Sequence, residues 1–295
     1  MTRYIRAVFR HIIGYCIVFP AILGAIAVQA LIFKPLFKNQ TTVPHLIYRA
    51  CGLIFGVRFT LNPDSAPFST DNPTMFVSNH LSRLDFVVLP LFPEAAVMMN
   101  AKIHDMPLWG PIVKVFTKSS GFVATEQNHE GKQGDKTQLG QAAQEGRNIF
   151  VFPEGIQTDG RRVLRYSMGS AEIFYDPDLI ANYPALGTTQ LQPVVLRVKT
   201  IEGEDVLHQP AKWESYALTH KLVNIFYGMS RLSMVRSITV DVLVCPPIDP
   251  RDFDNAASLI TAAQEVTREI IAPDQSEALT RRQWKARIDA RDFRV

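Results

Sequence analysis

The sequence has few cysteines and lacks the motifs of several common enzyme classes. Its three cysteines are Cys16, Cys51 and Cys245, an odd number without a C-x-x-C pair. This pattern predicts neither a disulfide framework nor a thiolate zinc site, and a reducing compartment is the simplest setting. His129-Glu130 is not followed by the second histidine of a zinc protease, and no G-x-S-x-G elbow occurs. We therefore expect no metal site.

A strong net charge is also missing. The 295 residues carry a formal charge of +3, which is too weak to predict a nucleic-acid partner. It is compatible with an anionic lipid or an acidic cofactor. With 47% apolar and 20% charged residues, the chain is long enough for one large or two small domains with a substantial core. Disorder of the whole chain is therefore excluded.

Charged side chains are absent from residues 12–33, which makes a run of 22 positions, enough to cross a bilayer. The run lacks a convincing signal-peptide cleavage site, so we expect it to be retained. Basic residues flank it on both sides, which leaves its topology open. Residues 43–59 favour a second, interfacial helix, and the two helices would dip into one leaflet as a hairpin. The alternative is a helix buried in the protein's own core.

The rest of the chain alternates predicted strands with helical stretches. We predict strands at residues 74–78, 96–99, 121–125, 148–152, 193–198 and 238–244, and helices at residues 136–145 and 256–271. This alternation predicts an α/β fold with a central mixed sheet flanked by helices, preceded by a hydrophobic N-terminal helical membrane arm. The turn-rich residues 62–67 divide the chain into the arm, residues 1–61, and an α/β domain, residues 62–295. Residues 278–295 predict a surface helix.

Two short strings carry the chemistry. Asn79-His80-Leu81-Ser82-Arg83-Leu84-Asp85 and Phe152-Pro153-Glu154-Gly155 each follow a predicted buried strand. A histidine with an orienting carboxylate is a recurring arrangement for activating a hydroxyl. Ligands of open α/β sheets collect at the carboxyl ends of strands, so both strings are expected at one crevice. The alternatives are a buried histidine satisfied by a turn carboxylate, and an ordinary strand-to-turn junction.

In combination these motifs resemble the glycerolipid acyltransferase family, whose bacterial members acylate lysophosphatidic acid. The resemblance covers roughly residues 74–196 and the hydrophobic arm. Its blocks are matched in order by Asn79, His80 and Asp85, then by Lys102, Pro107 and Gly110, then by residues 152–155 and 192–196.

The resemblance implies a role for each matched residue. His80 would be the general base and Asp85 would hold its tautomer, whereas Asn79, Lys102, Glu154 and Gly155 would bind the substrate. The acyl donor would be acyl-CoA or acyl-carrier protein, with no further cofactor. Direct transfer needs no enzyme nucleophile, although serines beside His80 leave an acyl-enzyme route open.

The sequence also departs from the family pattern at three expected cations. Thr125, Gln157 and Ser167 stand where family members usually carry a basic residue. Substitutes for the missing phosphate contacts lie downstream at Arg161, Arg162 and Arg165, or these form a solvated basic loop. A lysophospholipid or a lyso-aminolipid therefore competes with lysophosphatidic acid as the acceptor.

We predict a membrane-associated acyltransferase that moves a fatty acyl group from a thioester to the hydroxyl of 1-acyl-sn-glycerol-3-phosphate or a related lysolipid. Its partners would be membrane lipids, the lysolipid acceptor and acyl-CoA or acyl-carrier protein. Its location would be the bacterial inner membrane, with the catalytic domain facing the cytoplasm. The alternatives are a lipid hydrolase or transacylase, and a non-catalytic membrane lipid-binding protein.

Overall fold

A mixed β-sheet with helices on its faces forms the centre of the fold. The computed structural model describes residues 2–13, 19–37, 41–68, 72–82, 85–92, 94–100, 110–119, 123–125, 136–209 and 235–290. Its strands are β1 (Val57–Leu61), β2 (Thr74–Ser78), β3 (Ala95–Asn100), β4 (Val123–Thr125), β5 (Asn148–Val151), β6 (Gln190–Ile201), β7 (Glu204–Asp205) and β8 (Ile238–Val244). The predicted α/β fold with a mixed central sheet is confirmed, and residues 121–122 of one predicted strand lie outside the described residues.

The strand order places β2 in the middle of the sheet. The order is β1-β8-β6-β2-β5-β3-β4, with β7 paired to β6. Strand β2 runs parallel to both of its neighbours, β5 and β6, whereas β6 and β8 are antiparallel. Because Val77 lies opposite Val151, β2 and β5 end side by side. The segments that follow them therefore leave the sheet at the same edge.

Alternate side chains of β2 and β5 enter two different apolar cores. Phe76 and Phe150 lie in the core on one face, and Met75, Val77 and Ile149 lie in the core on the other. All five are fully buried. A central parallel strand that is covered on both faces reads as a continuous apolar run, which is why sequence identifies these strands well.

Helices cover both faces. They are α1 (Thr2–Ile13), α2 (Phe19–Val28), α3 (Lys34–Phe37), α4 (Thr42–Phe55), α5 (Gly110–Ser119), α6 (Thr137–Gln144), α7 (Pro177–Asn182), α8 (Ala256–Ile271) and α9 (Arg281–Ala290). Helices α6 and α8 pack on the face that holds Met75, and α4 packs on the face that holds Phe76. A 3₁₀-helix, Asp85–Leu91, follows the first motif.

The predicted helix at residues 43–59 is wrong at its C-terminal end. Helix α4 ends at Phe55, because Gly56 adopts a left-handed conformation with φ of 68° and caps it. Strand β1 begins at Val57 and pairs in parallel with β8. Its side chains alternate between buried and exposed, the period of a strand. This strand belongs to the central sheet although it precedes residue 62.

The described part of the uncharged residues 12–33 comprises the end of α1, helix α2 and a π-helical turn, Gln29–Phe33, which α3 follows. Within the described ranges, no helix is long and apolar enough to cross a bilayer. The membrane arm is therefore unconfirmed and stays a prediction.

The predicted surface helix near the C-terminus is partly buried. Helix α9 lies within residues 278–295, as expected, but the side chain of Trp284 is fully buried. It packs with Leu164, Ile156 and Leu279. The basic residues around Trp284 dominate the local composition, so the sequence pattern hides this single apolar anchor.

The glycine cap of α4 gives a stability test. A Cβ on Gly56 would strain the left-handed backbone and clash with the carbonyl oxygen of Arg236, so Gly56→Ala should lower the free energy of unfolding by roughly 2–3 kcal/mol. Gly146 has a similar φ of 73° but no atom within 4 Å of the added Cβ, so Gly146→Ala should cost about 1 kcal/mol. Urea unfolding of both variants measures the difference. Equal losses would contradict the proposed clash.

Candidate active site

The two motifs meet at the edge of the sheet where β2 and β5 end. Asn79 and His80 follow β2 directly, and residues 152–155 follow β5. The backbone N–H of His80 donates to the Glu154 carboxylate at 2.7 Å. The two strings therefore lie together at this edge of the sheet, and the prediction that both face one ligand crevice stays a prediction.

His80 and Asp85 form a hydrogen-bonded pair. His80 Nδ1 lies 2.8 Å from Asp85 Oδ2, and this carboxyl is buried. The same oxygen accepts from the backbone N–H groups of Leu81 at 2.6 Å and Ser82 at 3.0 Å. The Ser82 hydroxyl donates to Asp85 Oδ1 at 2.8 Å. A carboxylate that accepts on all sides requires the proton on Nδ1, so the neutral imidazole keeps its lone pair on Nε2.

Two further contacts orient the imidazole ring. The Phe152 ring stacks on it, with centroids 4.6 Å apart and planes inclined by 27°. On the opposite side of the ring from Asp85, Gln157 Nε2 lies 2.9 Å from His80 Nε2. The His80 side chain is 17% exposed, so its ring is held from three directions and remains open to solvent over a small area.

Glu154 is a buried carboxyl used by the backbone on both sides. Its Oε2 accepts from His80, and its Oε1 accepts the backbone N–H of Leu164 at 2.8 Å. Burial raises the pKa of Glu154 to about 8, which nearby Asp85 and Asp159 favour and the two N–H donors oppose. The structure therefore uses this carboxyl to join two loops, and its contact with an acceptor stays a prediction.

Asn79 likewise supports the backbone. Its side chain is fully buried, and its Nδ2 donates to the carbonyl of Leu196 at 3.0 Å. Its Oδ1 accepts the N–H of the same residue at 2.8 Å. The amide thus continues the pairing of β2 with β6 by one residue beyond Ser78. Substrate contact by Asn79 stays a prediction.

Helix α9 holds the loop that carries Glu154 and Gly155. Gly155 has φ of 68°, and the space that a Cβ would need is filled by the guanidinium of Arg281. Arg281 Nε donates to the Glu154 carbonyl at 2.8 Å, and Trp284 Nε1 donates to the Gln157 carbonyl at 3.0 Å. The loop after β5 is therefore fixed from its outer side, and close approach of a ligand at Gly155 stays a prediction.

Two of the three downstream arginines are engaged within the protein. Arg162 is 5% exposed and forms an ion pair with Asp159. The guanidinium of Arg161 donates to the carbonyls of Val206 and Leu207, and burial lowers the pKa of Arg161. Phosphate binding by either one stays a prediction that would require these contacts to be shared or exchanged.

The remaining predicted cations lie apart from this network. The Arg165 guanidinium is 65% exposed and lies 4.0 Å from Glu277. Lys102, with Pro107 beside it in the motif, lies outside the described residues. Lys114 and Lys118 are exposed on α5, and the sequence places them near Lys102, where the three lysines are expected to form a basic patch for an acidic acyl donor. This role stays a prediction.

A cavity lies beside the motif loop, and the described part of the chain holds no metal cluster. The cavity has a volume of about 240 Å³ and is lined by Arg161, Arg197 and apolar side chains at the end of α8. Gly160 separates it from Leu81 of the first motif. No group of three or more His, Cys, Asp or Glu side chains is positioned to hold a metal ion in the described ranges.

Sequence reasoning missed the side chains that support the pair. Ser82 and Phe152 lie within the motifs, so their positions were visible but their roles were not. Gln157 was noted only as a departure from the family pattern. Arg281 and Trp284 contact the loop across a separation of 127 residues, and no local pattern indicates such a contact.

Comparisons with known proteins agree with the site. Residues 60–197 match the Acyltransferase family. A lyso-ornithine lipid O-acyltransferase from Rhodobacter capsulatus is 24% identical over 223 residues, covering 76% of this chain and 73% of that protein. One from Rhizobium meliloti is 24% identical over 180 residues, covering 60% and 58%. The crystal structure of the 1-acyl-sn-glycerophosphate acyltransferase PlsC from Thermotoga maritima superposes with a TM-score of 0.56 and 16% identity, covering 94% and 98%. This likeness shows the same fold.

The buried carboxyl of Glu154 should make stability depend on pH. Its pKa is about 8 in the fold against 4.5 for an exposed carboxyl, so between these values the native state binds more protons than the unfolded state. The free energy of unfolding should therefore fall as pH rises through this window, by at most about 1.4 kcal/mol per pH unit from this group. In Glu154→Gln this part of the slope should be missing. Urea unfolding of both proteins at pH 5, 6.5 and 8 measures it, and parallel slopes would contradict the assignment.

Proposed function

We propose that this chain, whose residues 60–197 match the Acyltransferase family, transfers a fatty acyl group from an acyl thioester to the hydroxyl of a lysolipid. The observation that carries the proposal is the pair of His80 and Asp85 at the edge of the sheet. The donor is acyl-CoA or acyl-carrier protein, and both are thioesters that supply an activated acyl group.

The first chemical step is attack by the acceptor. Its hydroxyl oxygen bonds to the thioester carbonyl carbon while its proton passes to His80 Nε2, the ring nitrogen that carries no proton. Asp85 remains ionised and stabilises the imidazolium through Nδ1–H. Removing this proton matters because an alcohol at neutral pH is a poor nucleophile.

The second step is collapse of the tetrahedral intermediate. The carbon–sulfur bond breaks, the thiolate leaves, and the imidazolium returns its proton to the sulfur. His80 is then neutral again, and the new ester carries the acyl group. No side chain of the protein becomes covalently modified in this route, which agrees with the absence of a serine elbow from the sequence.

We assign the acceptor to lysolipids of the lyso-ornithine type rather than to lysophosphatidic acid. Relatives from Rhodobacter capsulatus and Rhizobium meliloti carry that activity in their names. The side chain bonded to the base nitrogen is the neutral Gln157, where the family pattern has an arginine. Arg161 and Arg162 are already engaged, so a phosphomonoester would find few ready cations among them.

We further propose that α1 lies on a membrane surface. Two of its basic side chains contact the protein, since Arg10 donates to the carbonyls of Phe55 at 3.2 Å and Val235 at 2.6 Å and Arg6 lies 3.6 Å from Glu202. Four of its apolar side chains face outward, and Ile5, Val8, Phe9 and Ile12 are 55–62% exposed. An exposed apolar helix face is typical of interfacial binding. It would bring the site to the bilayer that holds lipid acceptors.

Acyl transfer by the detergent-solubilised full chain tests the proposed reaction. With labelled acyl-CoA or acyl-carrier protein and lyso-ornithine lipid, we expect His80→Ala to lower the rate by roughly 10²–10⁴-fold and Asp85→Asn by at least roughly 10²-fold. The matched control is His208→Ala, which breaks an exposed histidine–aspartate pair of similar length, 2.9 Å, and should keep the rate.

Three outcomes of this assay would contradict the proposal. Undiminished transfer in His80→Ala would show that His80 is not the general base. A strict requirement for lysophosphatidic acid would overturn the acceptor assignment. Release of free fatty acid without an acylated lipid would favour the hydrolase.

Vesicle flotation tests the membrane surface of α1. Replacing both Phe9 and Ile12 by glutamate adds charge to its outward face. This double variant should bind anionic-lipid vesicles at least about tenfold more weakly than the parent protein. Leu61→Glu is the control, because Leu61 is a 44% exposed apolar residue at the end of β1. Equal binding by all three proteins would contradict the proposal.

A further inference from the structure

The base nitrogen of His80 is already occupied by a side chain of this protein. Gln157 Nε2 lies 2.9 Å from His80 Nε2. We propose that Gln157 is a positioning residue that caps the base in the free protein, excludes water from it, and yields to the hydroxyl of the acceptor. The inference rests on the proposed acyl transfer and deepens it, since it explains how a donor thioester escapes hydrolysis before an acceptor arrives.

The hydrogen-bonding pattern fixes the direction of this contact. Asp85 accepts from His80, Leu81 and Ser82, so Nδ1 of the imidazole carries the proton. Nε2 then has a single lone pair and can accept one hydrogen bond. The Gln157 amide N–H supplies it. A hydrolytic water can give its proton to no other position on this ring, so the amide of Gln157 and this water compete for the same lone pair.

The backbone around Gln157 is held firmly, which leaves its side chain as the movable part. Its carbonyl accepts the Trp284 Nε1–H at 3.0 Å. The next residue, Thr158, donates its backbone N–H to the His80 carbonyl at 2.8 Å. Ile156 packs against the buried Trp284. Rotation about the side-chain bonds of Gln157 therefore opens Nε2 without moving the loop.

The strength of the cap suits this exchange. A neutral hydrogen bond shifts an equilibrium by roughly 2- to 12-fold, a modest preference. A lysolipid has a headgroup and an acyl chain that bind elsewhere, so its hydroxyl can replace the amide. A single water molecule has no such additional contacts. The titratable groups bonded to His80 are Asp85, which holds Nδ1, and Glu154, which holds the His80 backbone.

Hydrolysis of the donor in the absence of acceptor is the direct test. Gln157→Ala should raise His80-dependent release of fatty acid from acyl-CoA about 2- to 12-fold and lower the ratio of transfer to hydrolysis. Gln141→Ala is the matched control, because Gln141 is exposed on α6 and bonds Glu145 at 2.9 Å. Hydrolysis that stays at the parent rate in a folded Gln157→Ala protein would overturn the proposal.

Two other variants separate capping from a merely structural role. Gln157→Glu places a carboxylate beside Nε2, which should move the acidic limb of the rate profile upward by roughly 1–3 pH units. A structural role predicts no such movement. Trp284→Phe keeps an aromatic ring but loses the N–H that holds the Gln157 carbonyl, and it should raise hydrolysis in the same direction but less. An unmoved limb in Gln157→Glu would overturn the proposal.

A measurement without turnover distinguishes failure of the cap from failure of the proposed reaction. The ¹⁵N resonance of His80 Nε2 in the histidine-labelled full chain reports whether its lone pair accepts a hydrogen bond. We expect this resonance to differ between the parent protein and Gln157→Ala. Identical resonances would overturn the cap even if transfer is observed. A difference without transfer to any lysolipid would retain the cap and count against the acyltransferase proposal.

Discussion

The buried carboxyl of Glu154 is the interaction on which the rest of the site depends. One oxygen holds the backbone of His80 after β2, and the other holds Leu164 in the loop beyond β5. The backbone carbonyl of Glu154 accepts a hydrogen bond from the Arg281 guanidinium of α9. Moving a carboxyl out of water is unfavourable, and two N–H donors offset this only while both loops stay in place. Two loops and the C-terminal helix are thereby coupled into one unit.

A second buried carboxyl in the site accepts backbone N–H groups but plays a different role. Asp85 is also a buried carboxyl that accepts backbone N–H groups, but its remaining contact orients a side chain, the imidazole of His80. The two acids therefore have different roles. Glu154 positions the backbone, and Asp85 determines which ring nitrogen of His80 is unprotonated. A site organised by N–H donors and buried acids needs few cations, which supports the proposed acceptor without a phosphomonoester.

The accuracy of the sequence predictions follows the distance over which each interaction acts. Strands covered on both faces and the spacing of His80 and Asp85 are local features, and they were predicted. The end of α4 was misplaced because residues 43–59 are apolar enough for a helix or a strand, and the role of Gly56 as a cap became evident only in the structure. Trp284 was taken for a surface residue because its partners lie far away in sequence.

The support of the motif loop by α9 sets an order of events during synthesis of the chain. The residues that hold this loop follow it by 127 positions. At about 5–20 residues per second, they leave the ribosome several seconds after the loop itself. A nascent chain therefore carries His80 and Asp85 before the clamp that fixes their surroundings exists. The contacts of Arg281 and Trp284 with this loop can therefore form only after α9 has emerged.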